Sequence, residues 1–131
     1  MNIKNNFSIN SIIGDVSFFC GEYSSNEPFR IDGKYKGKIN SGSKVYIGKT
    51  GSFEGILVAN NVDIGGQIKG DIYALEKVMI LKTAKINGAI YSCSINMEDD
   101  VVIDGEFRTL TKEDMKELYD MKLKEKLDYS K

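Results

Sequence analysis

The sequence predicts an all-β fold: a single right-handed parallel β-helix (a β-solenoid), with about six turns of 15–18 residues and a short C-terminal α-helical tail. Three observations predict it. A glycine-centred pentapeptide recurs six times at nearly constant spacing. Apolar and polar residues alternate with period 2 around each copy, the mark of short strands with one face inward. Thirteen glycines accompany a single proline in 131 residues, which suits many tight bends and few linkers.

The pentapeptide reads apolar–x–Gly–x–apolar. Its copies are Phe19-Cys20-Gly21-Glu22-Tyr23, Tyr35-Lys36-Gly37-Lys38-Ile39, Phe53-Glu54-Gly55-Ile56-Leu57, Ile68-Lys69-Gly70-Asp71-Ile72, Ile86-Asn87-Gly88-Ala89-Ile90 and Ile103-Asp104-Gly105-Glu106-Phe107. The glycines step by 16, 18, 15, 18 and 17 residues and form a predicted core ladder of Gly21, Gly37, Gly55, Gly70, Gly88 and Gly105. Upstream of each lies a pair of large residues: Phe29/Ile31, Val45/Ile47, Val62/Ile64, Val78/Ile80 and Ile95/Met97, with Ser11/Ile13 as an imperfect first copy. A small residue follows each copy at Ser25, Ser41, Ala59, Ala74 and Ser92. Of the 24 large positions, 23 hold apolar residues or tyrosine, against about ten expected from the 41% apolar content.

A turn this short has no room for a crossover helix, so three short strands per turn must coil and stack at about 4.8 Å. Six turns then give a rod about 29 Å long. Parallel crossovers are right-handed, which sets the coil, and the unequal turns disfavour a left-handed hexapeptide coil with its strict 18-residue period. The interval from the ladder residue to the next pre-glycine residue is either six, as in Ile47–Phe53, or four, as in Ile31–Tyr35. The extra pair is expected to loop outward at a corner. Charged residues at intervening positions, among them Asp32, Lys36, Lys38, Glu54, Asp63, Lys69, Asp71, Asp104 and Glu106, suggest a solvated exterior without a large apolar patch.

Residues 1–10 read as a flexible leader, 11–108 as the β-helix and 109–131 as the helical tail. In the tail Thr111 can cap a helix that begins Lys112-Glu113-Asp114, whose acids suit the dipole. Met115, Leu118, Tyr119, Leu123 and Leu127 recur at near-helical spacing. Such a helix either folds back over the last turn, frays in solvent, or binds a partner.

Several functions are excluded or disfavoured. Histidine is absent, which removes imidazole metal sites and His-dependent triads. A net charge of −1 offers no footprint for nucleic acid. Glu98-Asp99-Asp100 lacks the oxygen-ligand spacing of a calcium loop. Gly48-Lys49-Thr50-Gly51 lacks the upstream glycine of a phosphate loop, since Lys44 stands there. Cys20 and Cys93 belong to the first and fifth turns, about 19 Å apart at the stacking distance and beyond disulfide reach. The N-terminus does not read as an export signal, so a cytoplasmic chain with reduced thiols is expected. Neither an enzyme nor a cofactor is expected.

The segments Ile13-Gly14, Phe29-Arg30-Ile31-Asp32-Gly33-Lys34-Tyr35-Lys36-Gly37, Val45-Tyr46-Ile47-Gly48 and Ile68-Lys69-Gly70-Asp71-Ile72-Tyr73-Ala74 resemble the bactofilins, bacterial polymer-forming cytoskeletal proteins. The resemblance covers about residues 11–108. It implies a right-handed β-helix of triangular section that assembles end to end, without nucleotide, into non-polar filaments scaffolding cell shape or envelope machinery. It further implies cell-wall enzymes or membrane-bound regulators as partners, and peripheral association with the inner face of the cytoplasmic membrane. The helical tail departs from the proline-rich tail more usual in that family.

Open β-solenoid ends expose unpaired backbone and apolar core, and soluble solenoids normally carry polar caps. The sequence offers no cap before Phe18, Phe19 and Tyr23, and only the tail helix after Val101, Ile103 and Phe107. These six residues are the predicted polymer interface. The alternative is a capped, non-polymerising adaptor that docks an envelope or cell-wall partner through a face or the tail.

Overall fold

The computed structural model describes residues 11–13, 18–99 and 101–124. Nine strands form one parallel sheet that coils on itself: β1 (Ser11–Ile13), β2 (Phe18–Ser25), β3 (Phe29–Ile31), β4 (Lys34–Ser41), β5 (Lys44–Ile47), β6 (Ser52–Ile64), β7 (Gln67–Ile80), β8 (Lys85–Met97) and β9 (Val102–Thr109). One helix, α1 (Lys112–Lys124), follows. The chain is a β-solenoid. Its glycine rungs β2, β4, β6, β7, β8 and β9 number six and enclose about five full turns. The predicted leader, residues 1–10, lies outside the described residues.

Each turn has three faces. The first carries the strand before the glycine and the second the strand after it. The third carries β1, β3, β5 and the last segments of β6, β7 and β8. Inward residues stack in register, as in Ile31, Ile47, Ile64 and Ile80, all fully buried. Three of these columns run the length of the core without a break in apolar character.

The corner between the first two faces is built by the glycines, which pair in register from Gly21 to Gly105. Gly37, Gly55, Gly70 and Gly88 hold φ between +134° and +149°, a conformation L side chains rarely adopt. A Cβ on any of them would also overlap the carbonyl of the glycine one rung earlier.

The second corner sits at the small residues and uses two devices. Where serine stands, its hydroxyl accepts the N–H two residues on: Glu27 N to Ser25 Oγ and Ser43 N to Ser41 Oγ, both 3.0 Å. After Ala59 and Ala74 the ladder register shifts instead. The third corner follows the ladder residue, whose carbonyl accepts the N–H of the residue just past the ladder one rung on. Gly48 N to Ile31 O, Gly65 N to Ile47 O, Leu81 N to Ile64 O and Glu98 N to Ile80 O repeat this at 2.7–2.8 Å. The longer versions of this corner bulge outward and close on themselves through Gly51 N to Gly48 O (2.8 Å) and Ala84 N to Leu81 O (2.9 Å). Thr50 Oγ1 and Thr83 Oγ1 tie them back to the carbonyls of Asp32 (2.8 Å) and Gly65 (2.6 Å). The fragment Gly48-Lys49-Thr50-Gly51 is therefore a corner and not the start of a helix.

Two sequence expectations need correction. The second face is not charged throughout: over the middle rungs Ile56, Val58, Tyr73, Leu75, Tyr91 and Cys93 make an apolar stripe on its outside. The tail helix does not sit over the end of the last turn. It lies along that stripe.

Candidate assembly ends and the covered wall

Helix α1 begins as its residues dictate. Thr111 Oγ1 accepts from Asp114 N at 3.2 Å, and Glu113 and Asp114 occupy the first turn. Leu110 N donates to Ser92 O at 2.9 Å, turning the chain back at the last rungs. The helix then runs toward the first rungs. Met115 and Tyr119 are buried against Val58 and Tyr73, with Leu118 and Leu123 beside them. The Tyr73 and Tyr91 rings stack at 4.8 Å beneath. Leu127 lies outside the described residues.

Polar contacts set how far α1 reaches. The Tyr119 hydroxyl lies 3.2 Å from Ser41 O and 3.0 Å from Asn60 Oδ1, and its one proton serves both acceptors. Lys38, one of the residues expected on the solvated exterior, is buried, and its Nζ donates to Lys122 O at 2.7 Å. A cation at a helix C-terminus is favoured by the helix dipole. Burial raises the Tyr73 phenol above its usual range despite the opposing charge of Lys122, and raises Tyr119 for the same reason, with Asp120 adding to it.

The rod ends differ from this wall. The column Phe19, Tyr35, Phe53, Ile68, Ile86, Ile103 is buried in its four inner members, whereas Phe19 is 37% exposed and Ile103 only partly covered. The column from Tyr23 to Phe107 behaves likewise: Ile39, Leu57, Ile72 and Ile90 are fully buried between half-covered ends. Met97, in register with buried Ile80, is 46% exposed. Val101 packs on the core from the last corner.

Of the six predicted interface residues, Phe19, Tyr23, Val101, Ile103 and Phe107 therefore lie at the ends of the core. Phe18 does not share their position. It is in register with Lys34 and points outward, 65% exposed on the flank of the first rung. Met97 and Ile95 are end residues that the glycine pentapeptide did not pick out. The ladder pair would have found them, since both belong to its last copy.

At the N-terminal end the core is aromatic. Phe19, Tyr35 and Phe53 stack at 4.9 and 5.5 Å, and Tyr23 lies on Phe29 at 4.6 Å. The buried Tyr35 hydroxyl finds acceptors in Lys38 O (2.9 Å) and Gly21 O (3.1 Å) at the glycine corner. Cys20, exposed, and Cys93, half-buried, are free thiols in the first and fifth rungs. Among the described residues no cluster of metal-ligating side chains is present, and no helix is long and apolar enough to cross a membrane. Asp100 lies outside the described residues, and Glu98 Oε1 accepts Lys82 N at 2.7 Å.

Fold and ends together define a parallel β-solenoid whose wall is covered by its own helix and whose end core residues are, among the described residues, only partly covered. The family model for Bactofilin, polymer-forming cytoskeletal proteins, matches residues 11–108. The chain belongs to the bactofilin family, a structural cytoskeletal class. Neither the curated proteins nor the solved structures compared with it gave a match.

Proposed function

We propose that this chain assembles end to end into filaments, without nucleotide, and that the filaments scaffold cell shape or envelope machinery. The supporting observation is that the two core columns flanking the glycines, buried in their inner members, have partly exposed members in the first and last rungs, Phe19 and Tyr23 at one end and Ile103 and Phe107 at the other. A second copy stacked on either end would satisfy the edge backbone groups and cover the apolar section. If like ends meet, both joints are isologous and alternate along a filament without polarity.

The position of α1 counts against the capped-adaptor alternative. The helix packs on β6, β7 and β8 and covers a side wall, not the edge of β9. Envelope enzymes or membrane-bound regulators are the proposed further partners, at the inner face of the cytoplasmic membrane. Negative-stain electron microscopy of the purified chain without nucleotide, beside sedimentation velocity, tests the assembly. Long unbranched filaments are expected, and a uniform monomer would overturn the reading.

A further inference from the structure

The molecule has two separate apolar clusters. The residues inside the rod pack with one another, while Val58, Tyr73, Met115 and Tyr119 form a second group between the wall and α1. The wall strands β6, β7 and β8 are paired to strands on both sides, and none of that pairing uses α1. Of the thirteen residues of α1 only Met115 and Tyr119 are buried. On one flank a cavity of about 610 Å³ lies between Lys112 and Lys116 of the helix and Leu75, Glu76, Cys93 and Ser94 of the rod, so Leu75 and Cys93 stay half-buried. A helix of this length is marginal in water on its own. The helix can therefore leave the wall as a unit while the rod keeps its core and its ladders.

The wall constrains what can cover it once α1 has left. An occupant must bury an aliphatic group beside Val58, as Met115 does, and carry a hydroxyl that reaches Ser41 O and Asn60 Oδ1, as Tyr119 does. It must also end at Lys38, whose Nζ donates to the Lys122 carbonyl. That last contact reads direction, because the ammonium suits the C-terminus of a helix and a reversed helix would turn its N–H groups on it. The α1 of a second copy meets all three requirements. We propose that the wall is a helix-docking groove that takes α1 from a second copy of this chain in place of its own, in the same orientation, so that α1 is an exchangeable strap between copies. Exchange of an identical element reproduces the contacts of the closed chain and is a low-cost way to join copies. The stretch from Thr109 to Lys112 is short, so the copies that exchange are those whose last rungs lie together. The inference does not rest on end-to-end assembly.

Lys116 and Cys93 line the same cavity, which allows exchange to be trapped in full-length chains. A donor carries Lys116→Cys with Cys93→Ser and Cys20→Ser, and a receiver carries Cys20→Ser alone and keeps Cys93. Neither has both thiols of the pair. The two are mixed under reducing conditions, incubated and treated with a short bis-maleimide, and mass spectrometry of the peptides identifies linkage between donor position 116 and receiver Cys93. A chain with Lys116→Cys, Cys20→Ser and native Cys93 is the intramolecular reference. A donor with Glu117→Cys instead, exposed and outside the cavity, sets the background. Linkage several-fold above that background is expected. Met115→Asp in the receiver clears its own wall and should raise the linkage several-fold, whereas the same substitution in the donor should abolish it, since a buried unpaired carboxylate is strongly unfavourable. Met115→Ala should act in the same two senses more weakly, and circular dichroism checks that each rod is folded. Linkage at background while the intramolecular reference forms would overturn the exchange and leave the seat of α1 standing. Equal responses of donor and receiver to Met115→Asp would also overturn it, because general aggregation does not distinguish the two sides. Failure of the intramolecular reference would remove the seat and the exchange together.

Discussion

The wall under α1 and the two ends of the rod both present stacked apolar residues to the outside, yet among the described residues only the wall is covered, by α1. The wall is made of side chains alone, because its backbone groups are already paired within the ladders. An amphipathic helix with few inward residues suffices to cover it. Among the described residues the outermost strands also have no strand on their outer edges, and a helix, whose own backbone is internally satisfied, cannot pair with a strand edge. Only another strand can do that. The difference shows why a tail helix placed along the axis is compatible with assembly through the ends.

The largest effect expected to break this contrast is Phe107→Arg. It places a guanidinium in the section that the joint would desolvate, at a cost of about 3–5 kcal/mol for an unpaired buried charge. Long filaments should disappear from electron micrographs while the circular dichroism of the folded chain is unchanged. Filaments that persist on a folded variant would exclude Phe107 from a joint.

The glycine ladder sharpens the contrast between interior and edge. Gly55→Ala sets a methyl against the Gly37 carbonyl at φ +135°, whereas a Cβ at Gly21 meets only the Phe19 ring at 3.7 Å. Gly21→Ala therefore carries chiefly backbone strain, about 1 kcal/mol or somewhat more. Gly55→Ala should cost at least about 3 kcal/mol, or prevent folding. Urea titration of the two variants measures the gap, and equal midpoints would show that the stacked glycines are not closely packed.

On the wall, Met115→Ala empties a fully buried site and should cost about 2–4 kcal/mol. Filament length should be retained, since the wall takes no part in end contacts. Shorter filaments at matched folded fraction would link α1 to the joints.

The smallest effect is alkaline. Tyr73 and Tyr119 have raised pKa values in the folded chain, chiefly through burial. Their contribution to the wall is therefore fully present below the ordinary tyrosine pKa near 10 and is lost as pH rises through the folded values. Phenolate absorbance at 295 nm, compared with Tyr73→Phe and Tyr119→Phe variants, should show these two phenols ionising above the ordinary range, with α1 loosening over the same range. Titration of Tyr73 and Tyr119 at the ordinary tyrosine pKa near 10 would contradict the packing.

Six glycines in near-constant steps and 23 apolar slots were enough to read the rod, its registers and most of the end residues. The wall was harder. Val58, Tyr73 and Tyr91 align in register, so the signal was present, but the charged residues of the other faces masked it. The tail carried a broad apolar arc without a seat. Two weak patterns from segments far apart in the chain, Ile56 at one extreme and Leu123 at the other, meet only in three dimensions, and nothing local encodes which wall the helix meets. Lys38 illustrates the same limit: an alternating lysine reads as solvated, and its burial depends on a carbonyl 84 residues away.

The corner after each ladder isoleucine varies in length by two residues without disturbing the rungs on either side. Ile31 to Tyr35 and Ile47 to Phe53 span the same step with and without the Lys49-Thr50 loop, and both keep the parallel register. That corner works as an expansion joint. Evolution can lengthen or decorate it at little structural expense, and an experimenter can do the same. A short epitope inserted beside Lys82, on the exposed rim of such a loop, would travel with the rod as a passenger and mark it in cells while leaving its ends and its wall untouched.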